Sequence, residues 1–140
     1  MKRDPLQTML QIRRATLDEA QAGVAAAHRR ELDVLARAKA ATAALDREMK
    51  TAMNLAGGDD AVETFARWLP IGRRALKQAH DAQKDATAEL DRARAILTLA
   101  RSGVRAVEQL IEQRQTAQKL EESRREQRVL DEVGSRSLGD

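Results

Sequence analysis

Apolar side chains recur at steps of three and four residues along most of the chain. The first run passes through Leu6, Met9 or Leu10, Leu17, Ala20, Val24 and Ala27, and resumes as Leu35, Ala38, Thr42, Leu45, Met49 and Ala52. That spacing collects one apolar stripe on one face of a helix. From Val24 to Leu35 the stripe advances eleven residues rather than seven, with Leu32 filling the gap, which reads as a stutter that locally unwinds a supercoil. Asp4 before Pro5 predicts the helix start, since the carboxylate can accept from free backbone N–H groups and proline's missing donor costs nothing at the first helical position.

The clearest break is Asn54-Leu-Ala-Gly-Gly-Asp-Asp60. Gly57 and Gly58 are expected to supply the positive φ values that end a helix and turn the chain. Asp60 followed by Glu63 resembles a capping box, opening a short helix that carries Val62, Phe65 and Leu69. Pro70 disfavours helical geometry at Leu69 and is expected to kink or restart the helix. Beyond it the most regular stripe of the chain runs through Leu76, Ala79, Gln83, Ala86, Leu90, Ala93, Leu97, Ala100, Val104, Val107 and Ile111. Larger residues hold one seam position and alanine mostly the other, which lets two backbones approach while large side chains fill the holes opposite. Gly103 lies off this seam as a local weakness of about 1 kcal/mol against alanine. After Ile111 the stripe thins to Ala117, Leu120, Leu130 and Val133, still helical by its Glu121 to Arg125 pairing, and Gly134 marks the expected end.

These elements predict an all-α fold: a long antiparallel two-helix coiled-coil hairpin with a short helical, Pro-kinked tip, forming a single domain over residues 1–140. Helix one covers about 5–53, the turn and short helix 54–70, helix two about 71–133, and a tail 134–140. A helix of fifty residues is about 75 Å long. Folding back at the glycines should place Leu45 near His80 and residues 6–14 beside those near 115, with helix two extending past its partner at an open end that gathers both termini.

Composition narrows the function. One Phe, one Trp, no Tyr and 34% charged residues suit long helices and exclude a sheet protein. Net charge is only +3, so the high isoelectric point reflects arginine rather than a large positive excess. A nucleic-acid binder would want more charge or more aromatic residues. There is no cysteine, which removes thiolate chemistry and suits a reducing compartment. No apolar run is long enough to span a membrane, and no signal-like segment follows the start, so an intracellular protein is expected.

Candidate chemistry is sparse. His28 and His80, the only histidines, should fall at different heights of the hairpin, and neighbouring Asp81 does not face His80. No phosphate loop, catalytic triad or zinc spacing is present, so no catalytic residue, cofactor or metal ligand is assigned. Arginine pairs occur at Arg13-Arg14, Arg29-Arg30, Arg73-Arg74 and Arg124-Arg125. Folding is expected to gather the first and last of them, with Lys2, Arg3 and Arg128, at the open end. Phe65 and Trp68 at the tip either plug the turn or, with Leu69, anchor a partner, aromatic residues and arginine being common at interface hot spots.

The opening Pro5-Leu-Gln-Thr-Met-Leu-Gln-Ile-Arg-Arg14, with Asp18, Ala20 and Val24, resembles that of the FliJ/YscO family, the coiled-coil stalk proteins of flagellar and type III secretion export machines. Arg124-Arg-Glu-Gln-Arg-Val-Leu-Asp-Glu132 is similar to the family's closing segment, and Phe65-Ala-Arg-Trp-Leu-Pro70 to the tip of some flagellar members. The resemblance implies a non-enzymatic component at the cytoplasmic side of the inner membrane. Its open end would insert into the hexameric export ATPase through Leu6, Met9, Leu10, Arg13, Arg14, Arg124, Arg125, Gln127, Arg128 and Leu130. The tip, with Phe65, Trp68, Leu69, Arg73 and Arg74, would be available to the membrane export gate. Export chaperones are further partners the family implies. Nucleic acid and direct membrane insertion are not expected. The competing reading is a generic coiled-coil adaptor or chaperone that shields a client along the thin stripe beyond Ile111.

Overall fold

A computed structural model of the chain describes residues 4–54 and 57–139. It has two helices, α1 (Pro5–Ala52) and α2 (Gly58–Leu138), packed against each other as a helical hairpin. The chain starts α1 where the sequence predicts. Asp4 Oδ1 accepts from the Leu6 amide at 3.1 Å, and the Asp4 carbonyl accepts from the Thr8 amide at 3.1 Å. The same carboxylate oxygen receives Arg114 Nη1 at 3.2 Å, so one side chain caps α1 and ties it to α2.

Two features of the turn differ from expectation. Of its two glycines only Gly58 has a positive φ, 63°; Gly57 is needed for space instead, because a Cβ there would lie 2.8 Å from the Ala61 Cβ. Before them, Gly57 donates its amide to the Asn54 carbonyl at 3.1 Å, while Leu55 and Ala56, in the middle of the anticipated turn, lie outside the described residues. Because α2 already begins at Gly58, Asp60 is not its cap. Asp59 and Asp60 occupy the first turn, where a carboxylate interacts favourably with the positive end of the helix dipole.

No separate short helix precedes Pro70. The proline lies inside an uninterrupted α2 and is exposed, as is Ala66, whose carbonyl loses its usual donor. An interior proline costs about 3 kcal/mol. Offsetting it, the buried stripe continues across the site through Phe65, Leu69, Gly72 and Leu76, all buried or half-buried, so ending the helix at Leu69 would break the stripe in two. At the other end α2 runs to Leu138, five residues beyond its expected end near 133. Gly134 is helical, and its carbonyl accepts from Ser137 Oγ at 3.1 Å.

The described residues fall into two units. The first comprises the described residues up to 17 and those from 99 onward. Its core is Leu10, Val104 and Val107, with Leu17 and Ile111 partly buried against them. Arg14 Nη2 reaches Glu108 Oε1 at 3.8 Å, and with Asp4 beside Arg114 the two segments run antiparallel. Of the alternatives Met9 and Leu10, it is Leu10, 6% exposed, that enters the core.

In the second unit, residues 18–98, the stripe of α2 is buried as predicted, centred on Ala86 and on Leu90, the most buried large side chain at 2% exposure. The stripe of α1 is not as predicted. It runs through Ala20, Val24, Ala27, Glu31, Val34, Ala38, Ala41, Leu45, Glu48 and Ala52, all buried or half-buried, in unbroken steps of three and four. There is no stutter. Leu32 is 51% exposed, and Thr42 and Met49 are exposed as well. Each sits one position past a seam residue, hence about 100° around the helix. The strict repeat on α2 sets the phase, and α1 keeps it by accepting two glutamates rather than rotating to bury a leucine. Arg30 Nη1 to Glu89 Oε2, 3.5 Å, links the helices in this unit at the seam's edge.

Candidate partner-binding surfaces

The residues anticipated at the open end separate into two groups. Near the start of α1, Leu6 is half-buried and Leu10 is inside the core, so both serve the hairpin itself. Met9, Arg13 and Arg14 remain exposed. Arg14 is directed at Glu108, and the aliphatic part of Arg13 lies over Gly103, whose position would leave a Cβ 3.5 Å from Arg13 Cδ.

The second group lies further along α2. Asp4, at the start of α1, is already matched with Arg114, and from residue 112 to 139 every described residue except Gly134 is exposed. Arg124, Arg125, Gln127, Arg128 and Leu130 stand on this stretch. Arg125 Nη2 is 3.5 Å from Glu121 Oε1 and Gln127 Nε2 donates to Asp131 Oδ1 at 3.2 Å, both along the helix. Val129, Leu130 and Val133 are exposed beside them, and Arg125, Glu126, Val129 and Leu130 line one shallow depression. From Glu108, the partner of Arg14, to Arg124 the helix rises roughly 24 Å. The Arg13-Arg14 pair and the Arg124-Arg125 pair therefore do not merge into the single cluster that the sequence led us to expect. Lys2 and Arg3, anticipated in the same cluster, lie outside the described residues.

At the tip, Phe65 and Trp68 are half-buried with ring centroids 6.3 Å apart, tilted by 31°. The Trp68 ring also covers Gly72, which is buried beneath it. Leu69 is half-buried, whereas Arg73 and Arg74 are exposed and form no ion pair among the described residues. Much of the aromatic surface is thus spent within the tip itself, with the two arginines free beside it. The role of Gly72 escaped the sequence reading, although the signal was present: the largest side chain is followed one helical turn later by the smallest residue.

His28 and His80 are both exposed. His80 borders a groove with Lys39, Thr42, Ala43 and Asp46, so it faces the Ala43 to Asp46 turn of α1 next to the anticipated Leu45. Among the described residues no group of three or more histidine, cysteine or acidic side chains could hold a metal ion, and no polar or charged residue is buried. No helix among them is long and apolar enough to cross a membrane. Glu31, Glu48 and Glu89 are half-buried along the seam, and the other charged side chains among the described residues are exposed.

Neither the curated proteins nor the solved structures compared gave a match. A family model described as Flagellar FliJ protein matches residues 1–139, essentially the entire hairpin with its long α2 extension. A match over that full length means that the chain belongs to the FliJ family, components of the flagellar protein-export apparatus.

Proposed function

We propose that the protein is a non-enzymatic stalk that couples the hexameric export ATPase to the membrane export gate, acting at the cytoplasmic face of the inner membrane. The observation that carries this reading is the stretch of α2 beyond residue 112, which α1 leaves uncovered. An exposed helix bearing Arg124, Arg125 and Arg128 around Val129, Leu130 and Val133 combines an apolar anchor with charges suited to acidic ring surfaces. Met9, Arg13 and Arg14 would make a second, separate contact higher on the stalk. Leu6 and Leu10 would support that contact from inside rather than touch the ring. At the tip, Arg73 and Arg74 with the outer edge of Trp68 and Leu69 would meet the export gate.

The test is stimulation of the export ATPase by the full chain at substoichiometric amounts. Arg124→Glu with Arg125→Glu should abolish most of the stimulation while helicity is retained; undiminished stimulation would remove this assignment. A second reading rests on the same uncovered stretch, where Leu120, Val129, Leu130 and Val133 could shelter an export chaperone or client. That activity would appear as near one-to-one binding of the client, with no effect on ATP hydrolysis.

A further inference from the structure

Along α1, the residues that follow three of the seam positions form a rival seam. Val34, at 8% exposure, with half-buried Ala41 and Glu48, belongs to the stripe that α2 covers. One position later stand Leu35, half-buried, Thr42, and Met49, 43% exposed. Ala38, Leu45 and Ala52 serve both sets, since 31-34-38-41-45-48-52 and 31-35-38-42-45-49-52 each advance in threes and fours. Exchanging the alternate positions for their successors moves the midline of the apolar face by about 50°, half the 100° between adjacent residues. The rival set suits a seam. Thr42 Oγ1 already donates to the Ala38 carbonyl at 3.0 Å, so burying it leaves no donor unpaired, and Met49 replaces a carboxylate that has no ion pair among the described residues.

We infer that α1 from Glu31 to Ala52 is a two-phase element: it turns by about 50° against α2, and in a minor state Leu35, Thr42 and Met49 take the places of Val34, Ala41 and Glu48. Nothing polar ties the segment to its present phase. Its ion pairs, Asp33 with Arg37 and Asp46 with Lys50, lie within α1 and travel with it. Arg30 with Glu89 bridges the helices just before the segment, and among the described residues no hydrogen bond or ion pair joins 31–52 to α2.

Two opposed tendencies keep the phases close. The unbroken repeat of α2 favours the phase observed. In the other, the face of α1 advances eleven residues from Val24 to Leu35, a stutter that relaxes its supercoil. Two packings of one sequence separated by so little are the basis of a switch. Turning also draws Leu35 and Thr42 out of the groove they line with His80, so the shape of that groove and the phase of the seam change together. The inference stands independently of the ATPase reading.

Because the chain lacks cysteine, single thiols can report the turn through their rate of reaction with N-ethylmaleimide in the full chain. Val34→Cys leaves the seam in the minor state, whereas Ala38→Cys, nearer the tip, stays in it. The thiol at 34 should react faster by about tenfold or more; fraying from the tip would favour 38, and global unfolding would expose both alike. Ala41→Glu with Thr42→Leu should make the minor phase the major one, opening position 34 while 38 stays protected and helicity is kept. Glu48→Leu with Met49→Glu should slow position 34 toward the rate of 38. Reaction at 34 no faster than at 38, or an Ala41→Glu, Thr42→Leu chain that loses its helicity or still protects 34, would overturn the inference.

Discussion

The indole of Trp68 occupies the space that a side chain at Gly72 would need: a Cβ there would come within 2.5 Å of Cη2, 2.7 Å of Cζ3 and 2.9 Å of Cζ2. Three ring atoms are involved, so the whole indole would have to shift to admit a methyl group, and Phe65 stands beside it with ring centroids 6.3 Å apart. Gly72→Ala should therefore destabilise the hairpin. The gain in helix propensity is about 1 kcal/mol, while forcing volume into a filled site costs about 1 to 3 kcal/mol. In a Trp68→Ala background the same change should become stabilising. Urea melts of the four variants give the coupling directly, and additive effects would show that the ring has room to move.

Glycines elsewhere on the helices should behave in the opposite way. Nothing lies within 4 Å of a Cβ placed at Gly23, and the nearest atom to one at Gly103 is Arg13 Cδ at an ordinary 3.5 Å. Each alanine substitution should raise stability by about 0.8 to 1 kcal/mol. For Gly58 the φ of 63° reverses the sign again, and alanine there should cost about 1 to 2 kcal/mol. Thermal melts ranking Gly23→Ala and Gly103→Ala above the parent and Gly58→Ala below it would match this account.

The absence of a stutter can be tested with two leucines on helices of one unit. Leu90, 2% exposed, should lose about 2 to 4 kcal/mol on truncation to alanine, because little nearby can collapse into the space. Leu32→Ala should fall within about 0.5 kcal/mol of the parent, as surface changes do. A large loss at Leu32 would restore the stutter and rotate this part of α1.

Asp4 serves α1 as a cap and α2 as a partner for Arg114. Asp4→Ala should cost about 1 kcal/mol from the cap, while Asp4→Asn keeps a capping oxygen and removes only the charge attraction, worth a few tenths of a kcal/mol at so exposed a site. The difference between these two variants should shrink little with salt, whereas the difference between Asn and the parent should vanish at high ionic strength.

If the stalk reading holds, its two arginine groups act as separate contacts. Charge reversal at Arg13 and Arg14 and reversal at Arg124 and Arg125 should then reduce ATPase stimulation independently, the losses multiplying in the fourfold variant. Groups roughly 24 Å apart along the helix lie well outside the distance at which mutational effects couple. A fourfold variant no worse than either pair would mean that they form one site.

The long-range plan of this protein was legible because it is written in local features. Asp4-Pro5 marks a start by hydrogen-bond chemistry within four residues, the glycine pair marks a reversal, and the heptads of α2 from Leu76 to Ile111 carry one unambiguous stripe. Other features have no local answer. Along α1 two stripes one residue apart are almost equally apolar, and Leu32, Thr42 and Met49 looked better than Glu31, Ala41 and Glu48. Only packing against α2 chose between them, since a helix must present the phase its partner's repeat demands. The same holds at Pro70, where local geometry argues for a break and a seam continuous on both sides keeps α2 whole. The arginine pairs were expected together because sequence places both near chain ends. They stand apart because the register of the hairpin, fixed by Leu10 among Val104 and Val107, stops α1 short and leaves the end of α2 alone. Sequence determined which helices form and where the chain turns; the tertiary structure decided phase and register, because those depend on what the opposite helix offers at each level.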